Sequence, residues 1–225
     1  MVIRRFLDFP GLACLLCGMT SDWSLPVGRV TDAHGHSWRI GTEDEVAWIA
    51  AGTSPNQTIT SAIPPVFDAY ATVVLPDNGA DQERHNQAML ATLAGQSPGL
   101  PTGPRWWLGY LHTSDFDMVS PGVAMAQLPK VALYAAWDYV LVEAGPEQAA
   151  TWRRTEPKGF WWDDALPDLM FPADRSWLVS TLTDDDWTCV GGPAPLIDRL
   201  LAHPDLRARR VQPGEEATPP GHRAF

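Results

Sequence analysis

Three residues in the middle of the chain have the types and spacing of a divalent-metal site. His112, Asp115 and Asp117 follow the strand-like run 106–111, so an imidazole and two carboxylates could converge on one cation beyond the end of a strand. Aspartates are also common in polar turns, where their side chains hydrogen-bond the nearby backbone. Two interpretations therefore remain: the metal site of a small hydrolase or other enzyme, or an ordinary turn.

A second group of residues combines carboxylates with indole rings. Between Phe160 and Val190 the chain has seven aspartates, opposed only by Arg175. An exposed tryptophan beside carboxylates is a plausible anchor for a basic protein. This predicted partner-binding surface consists of Trp161, Trp162, Asp163, Asp164, Asp184, Asp185 and Asp186. The alternative is that the tryptophans pack in the core and that the last three aspartates form a solvated hairpin tip.

The chain has 11 tryptophans, and two pairs of them are adjacent, Trp106–Trp107 and Trp161–Trp162. Neighbouring side chains in a strand face opposite sides of the sheet. We therefore expect one member of each pair to leave the core.

Other reactive groups form no recognisable arrangement, so we predict no catalytic residues and no cofactor. The chain has no G-x-S-x-G motif, and the segment 190–193 lacks the lysine and hydroxyl residue of a phosphate loop. Cys189 lies in a strand-like run, where a buried thiol behaves as a small hydrophobe. Cys14 and Cys17 have no second ligand pair at zinc spacing. His85 has polar neighbours and is expected to be solvated.

Charge and composition limit the classes of partner. The 225-residue chain has 27 acidic against 16 basic residues and a net charge of −11. This charge disfavours nucleic acid and anionic membranes and favours a basic partner or none; the alternative is that it only keeps the protein soluble. Three cysteines in a chain of this length indicate a reducing compartment, so we expect a cytoplasmic protein. The uncharged run 11–19 is too short to span a membrane.

Hydrophobic patterns predict the elements of an α+β protein. The segment Arg175–Leu201 predicts a β-hairpin followed by a helix that starts at Pro193. Thr42 and Glu45 form a capping-box pattern that predicts a helix ending at Gly52. Further helices are predicted over Ile63–Tyr70 and Asp81–Ala94, and a strand over 106–111. The segment Lys130–Ala144 predicts either a hairpin turning near residues 137–138 or one longer, bulged strand.

We expect a single domain over residues 41–211, in which helices cover a mainly antiparallel sheet of short strands. Residues 1–40 are expected to be a poorly defined leader, whose first 18 residues could precede a start of translation at Met19. Residues 212–225, rich in proline and glycine, are expected to be a surface tail.

Three segments carry a resemblance to other sequences. Residues 175–180, 186–192 and 218–222 resemble a group of uncharacterised proteins from GC-rich bacteria, and this resemblance implies no activity. The order of elements also resembles that of the SMI1/KNR4 family of immunity-type proteins, which implies an immunity-like role.

These observations predict a non-enzymatic protein that binds a basic protein partner through an acidic, tryptophan-bearing face. An immunity-like or regulatory protein fits this description, because a basic nuclease is a natural target for an acidic inhibitor. Two alternatives remain: a small metal-dependent hydrolase or other enzyme, and a protein that binds a small apolar ligand between tryptophans.

Overall fold

The apolar, β-preferring runs form the strands of one large antiparallel sheet. The computed structural model describes residues 28–32, 34–76, 79–96, 104–112, 118–120, 123–124, 128–153, 165–183 and 185–223. The strands are β1 (Arg29–Thr31), β2 (Ser37–Ile40), β3 (Ala69–Val74), β4 (Trp106–Leu111), β5 (Met118–Ser120), β6 (Val123–Ala124), β7 (Val131–Leu133), β8 (Trp137–Ala144), β9 (Leu169–Pro172), β10 (Leu178–Ser180), β11 (Trp187–Gly192) and β12 (Arg207–Val211). The helices are α1 (Glu43–Gly52), α2 (Gly79–Ala94), α3 (Pro146–Thr151) and α4 (Ala194–Ala202), with a 3-10 turn at Ile59–Ser61.

Within these described ranges, ten strands share one sheet. Their order is β1-β2-β8-β4-β9-β10-β11-β3-β12, with β7 also paired to β8, while β5 and β6 pair with each other. Every pairing is antiparallel, as in the register Leu108↔Val142 between β4 and β8. The predicted α+β class, with a mainly antiparallel sheet, is therefore confirmed.

Helices cover both faces of the sheet and create two cores. One core contains Met89 of α2, Ala149 of α3 and Leu196 of α4. The other contains Val46 and Ile49 of α1. Successive residues of β4 alternate between the two, as a strand requires.

The two buried faces explain why one expectation about the tryptophans is wrong. Trp106 points into the α2–α4 core with 0% of its surface exposed, and Trp107 points into the α1 core with 3% exposed. Neither ring leaves the core, because each face of β4 has its own helical cover. The other adjacent pair, Trp161–Trp162, lies outside the described residues.

The predicted C-terminal hairpin–helix unit is confirmed. Strands β10 and β11 pair in the register Leu178↔Gly191, and α4 begins directly after Pro193. Leu196, Ile197 and Leu200 are buried against the sheet, as their helical spacing predicts. The predicted capping box is also present, since the Thr42 backbone N–H donates to Glu45 Oε2 at 2.7 Å.

Two predicted elements are corrected. The helix expected over Ile63–Tyr70 is wrong: residues up to 68 form turns, and β3 begins at Ala69. The tandem prolines at 64 and 65 disfavour α geometry in the residues before them, and β3 then gains its bonds from β11 and β12. Of the alternatives for Lys130–Ala144 the hairpin is correct, but its turn is Tyr134–Ala136, with Leu133 opposite Trp137.

The sheet extends upstream of the predicted domain boundary at residue 41, because β1 and β2 pair with each other and β2 pairs with β8. At the other end, much of the segment after residue 211 is exposed. It is nevertheless fixed to the domain, since Glu216 bridges to Thr58 and Ala217 is buried.

None of the described helices is long and apolar enough to cross a membrane.

Candidate functional site

Antiparallel pairing brings polar residues from several strands to one end of the sheet. Strands β3, β4 and β10 finish at this end, and β8, β9, β11 and β12 start there. Asp168 precedes β9, Thr181 follows β10, and Asp186 precedes β11. We call this edge the polar end of the sheet.

A cavity of about 690 Å³ lies at the polar end, between the strand ends and α2. Its lining includes His85, Trp137, Asp168, Thr181, Asp186 and Thr188. This strand-end cavity has a size typical of ligand sites, and it combines apolar walls with convergent polar groups.

An ion pair fixes the lining of the strand-end cavity where the β4–β9 ladder ends. Arg153 Nη1 and Nη2 donate to the two carboxylate oxygens of Asp168 at 3.2 and 2.5 Å, and Asp168 Oδ2 also accepts the Leu111 backbone N–H at 2.7 Å. The Arg153 guanidinium stands 5.2 Å from the ring centre of Tyr110. The Arg153 side chain is only 7% exposed, so the pair is mostly shielded from water. It joins the segment after α3 to the start of β9 and therefore has a structural role.

Asp186 is held by the C-terminal segment. The His222 Nδ1 atom lies 2.6 Å from Asp186 Oδ2, and the Leu75 backbone N–H donates to the Asp186 carbonyl at 2.9 Å. Beside it, the hydroxyls of Thr181 and Thr188 hydrogen-bond each other at 2.7 Å. The mouth of the cavity therefore has an ordered carboxylate and an ordered hydroxyl pair.

His85 is not solvated, contrary to the expectation from its polar neighbours. It is 3% exposed, because α2 turns it toward the sheet together with Met89 and Leu93 at successive four-residue steps. Burial, with a smaller effect of the Arg207 charge, lowers the pKa of His85 to about 4. The ring is consequently a neutral imidazole at neutral pH. The four-residue spacing in the sequence could have revealed this.

Trp137 is a surface residue for which the sequence predicted no functional role. It is 48% exposed, follows directly after the β7–β8 turn, and neighbours the exposed Asp138. It borders the strand-end cavity and also a cavity of about 530 Å³ on the other side of the sheet. Its position next to a hairpin turn was the available signal, because side chains at turns tend to remain in water.

The predicted partner-binding surface is described only in part. Asp185 and Asp186 lie at the polar end and line the strand-end cavity. The remaining members lie outside the described residues: Trp161, Trp162, Asp163, Asp164 and Asp184.

Of the predicted metal ligands, His112 is described, whereas Asp115 and Asp117 lie outside the described residues. His112 follows β4 at the polar end, its backbone N–H donates to the Asp138 carbonyl at 2.8 Å, and its Nε2 atom is buried without a hydrogen-bond partner in the described part of the chain. Three strand spacings separate β4 from β11, so His112 lies about 14 Å from Asp186. Among the described residues, no group of three or more His, Cys, Asp or Glu side chains could hold a metal ion.

Cys189 is buried in β11, in agreement with its predicted role as a small hydrophobe. Burial raises the pKa of its thiol to about 12, so the thiolate is not available as a nucleophile.

Comparison with known proteins finds no family model, no curated protein and no solved structure that matches this chain.

Proposed function

We propose that the protein is a non-enzymatic binding protein, immunity-like or regulatory, which recognises a basic protein at the polar end of the sheet. The observation that carries this proposal is the half-exposed ring of Trp137 at the border of a cavity with acidic lining. Tryptophan is enriched among the residues that dominate binding energy in protein interfaces.

The charges of the strand-end cavity favour a cation. Among the described residues, the carboxylates of Asp168, Asp185 and Asp186 and the guanidinium of Arg153 line it. His85 adds no charge at neutral pH, because its pKa lies near 4. Carboxylates thus outnumber guanidinium groups among the described lining residues, in a chain whose net charge is −11. Such a field attracts basic proteins and speeds their association.

The proposed anchor differs from the one that the sequence suggested. Trp137, rather than Trp161 or Trp162, is the described tryptophan that is half-exposed and borders the same cavity as these carboxylates. Asp138, at the next position of β8, is exposed as well, and its side chain leaves the strand on the opposite face. The recognition surface therefore combines one aromatic anchor with a carboxylate rim.

Titration with a defined basic peptide tests the proposal. The probe is a decapeptide that alternates lysine with glycine, and its counterpart has glutamine in place of every lysine. Binding is measured by calorimetry at low and at high salt. The lysine peptide should bind, with an affinity that falls as salt rises, and the glutamine peptide should not.

Variants locate the binding surface. Trp137→Ala should weaken binding about five- to thirtyfold, because truncation of an interface anchor costs about 1–2 kcal/mol. Asp186→Asn should weaken it and reduce its salt dependence. Val66→Ala and Asp68→Asn are matched controls, since these exposed residues lie just before β3, at the opposite end of the sheet. Equal binding of the two peptides, or equal losses in the control variants, would refute the proposal.

A further inference from the structure

The cavity of about 530 Å³ lies on the face of the sheet that α1 covers. It is lined by the end of α1 and the loop after it, by the β7–β8 hairpin, and by the segment after β10. We call it the hairpin cavity. Its described lining contains no Asp, Glu, Lys, Arg or His, although the chain has a net charge of −11. Burying an ion without a partner is costly, so this lining favours an uncharged ligand.

Aromatic side chains of the hairpin line this cavity. Trp137 and Tyr139 lie two positions apart on β8 and therefore share the α1 face of the sheet. Tyr139 is 1% exposed, whereas Trp137 keeps 48% of its surface in water. The Tyr134 ring stands edge-on to the Tyr139 ring, with the ring centres 6.0 Å apart. Such flat apolar faces suit a planar ring, which would also cover the exposed part of Trp137.

The turn between β7 and β8 has an unusual backbone. Tyr134, Ala135 and Ala136 have φ angles of 48°, 65° and 75°, in the left-handed region that favours glycine. The Tyr134 hydroxyl fixes this turn, because it donates to the Ala62 carbonyl and accepts from Ser180 Oγ, both at 3.0 Å. Strained residues of this kind cluster at ligand sites, and all three of them line the hairpin cavity.

A polar group at the far end of the hairpin cavity lacks a partner. Because the Tyr134 hydroxyl bonds Ser180, the Tyr134 side chain reaches from the hairpin to the end of β10, and Thr183 follows three residues later. The Thr183 hydroxyl oxygen is buried and has no hydrogen-bond partner in the described part of the chain. The hydroxyls of Thr53 and Ser61, by contrast, donate to backbone carbonyls. A ligand hydroxyl, which both donates and accepts, would satisfy Thr183.

We propose that the hairpin cavity binds a small uncharged aromatic compound that carries a hydroxyl group. Its ring packs against Tyr134 and Trp137, and its hydroxyl bonds that of Thr183. The volume of about 530 Å³ lies within the range of small-molecule sites. This site goes beyond the proposed function and does not depend on it, because it takes a neutral ligand into a different cavity.

Equilibrium dialysis with three probes that share one ring system tests this site. The probes are 2-naphthol, naphthalene, which lacks the hydroxyl, and 2-naphthoate, which is an anion. The wild-type protein should bind 2-naphthol at least about tenfold more tightly than 2-naphthoate, because the anion would be buried without a partner. Thr183→Val keeps the shape of the side chain and removes the hydroxyl. It should weaken binding of 2-naphthol about three- to tenfold and leave that of naphthalene unchanged.

Two further variants locate the ring. Trp137→Ala should weaken binding of 2-naphthol and of naphthalene about tenfold each, because both lose the indole face. Val66→Ala is the matched control and should change neither, since this exposed residue lies outside the lining of the cavity.

Several results would overturn the site: no binding of 2-naphthol, equal affinity for 2-naphthoate, an unchanged affinity for 2-naphthol in Thr183→Val, or equal losses in Val66→Ala. Methyl β-glucoside offers hydroxyls without an aromatic ring, and tighter binding of this sugar than of 2-naphthol would refute the aromatic class. If Trp137→Ala or Thr183→Val does not fold, the indole N–H resonance of Trp137 in the wild-type protein replaces the variants. It should shift when 2-naphthol is added, and an unshifted resonance at saturation would refute the site.

Discussion

Removal of the Arg153 side chain tests whether the ion pair at the polar end holds the fold together. In Arg153→Met the stem is kept and the guanidinium is lost, so Asp168 retains a carboxylate that is only 20% exposed. Breaking a buried pair from one side costs about 3–5 kcal/mol. We expect the lower end, about 3 kcal/mol, because Asp168 still accepts the Leu111 N–H.

Urea unfolding measures this loss. With a denaturant slope of about 2.5 kcal/mol per molar urea, a loss of about 3 kcal/mol lowers the unfolding midpoint by about 1.2 M. Arg210→Met is the matched control: Arg210 pairs with Asp198 on the surface and is 39% exposed. Exposed pairs contribute less than about 1 kcal/mol, so the control midpoint should fall by less than about 0.4 M.

A double-mutant cycle isolates the pair itself. Arg153 also donates to the Leu166 carbonyl and stacks over Tyr110, and the single variant loses those contacts as well. Combining Arg153→Met with Asp168→Asn should give a coupling of about 0.5–3 kcal/mol, the range for residues in direct contact. If Arg153→Met costs no more than Arg210→Met, or if the coupling is zero, the assignment of a structural role to the pair is wrong.

Two further predictions concern a glycine and a histidine. Gly191→Ala should destabilise the fold by about 1–3 kcal/mol in urea unfolding, because its new Cβ would stand 2.4 Å from Phe67 Cδ2. Gly214→Ala is the control and should be close to neutral, because no atom lies within 4 Å of its new Cβ. The free energy of unfolding should fall as the pH decreases from about 6.5 to about 4, because in this window the unfolded chain protonates the His85 ring, which the fold keeps neutral. The contribution of His85 to this fall is at most about 3 kcal/mol. His85→Leu should lose that part of the pH dependence, and an identical pH profile in the variant would contradict the burial of the ring.

The elements that could be predicted from the sequence depend on local signals. Pro193 before an amphipathic segment defines the start of α4, and the pair Thr42–Glu45 defines that of α1. The order of the sheet could not be predicted, because β3 lies between β11 and β12, more than 100 residues away in sequence. Without that order, the sequence could not show that helices pack on both faces of β4. One of its two tryptophans was therefore expected in water.

The candidate site depends on the same long-range arrangement. The sequence indicated Asp185 and Asp186, because consecutive acidic residues are visible locally. It did not indicate Trp137 or His85, since their roles depend on strands and helices that meet only in the folded sheet. The pairing of Arg153 with Asp168, 15 positions apart, has no sequence signal either.

The acidic composition of residues 160–190 is therefore weaker support for binding than it first suggests. Asp168 is committed to Arg153, and Asp174 accepts the Ser176 backbone N–H at 3.0 Å in a turn, so both of these carboxylates have structural roles. Asp186 is more than half exposed and stands at the mouth of the strand-end cavity. The proposed recognition of a basic partner therefore depends on where carboxylates and an indole ring line the same cavity, rather than on how many acids the segment contains. For this reason, Asp186→Asn should weaken binding of a basic peptide more than Asp68→Asn, although both substitutions change the net charge equally.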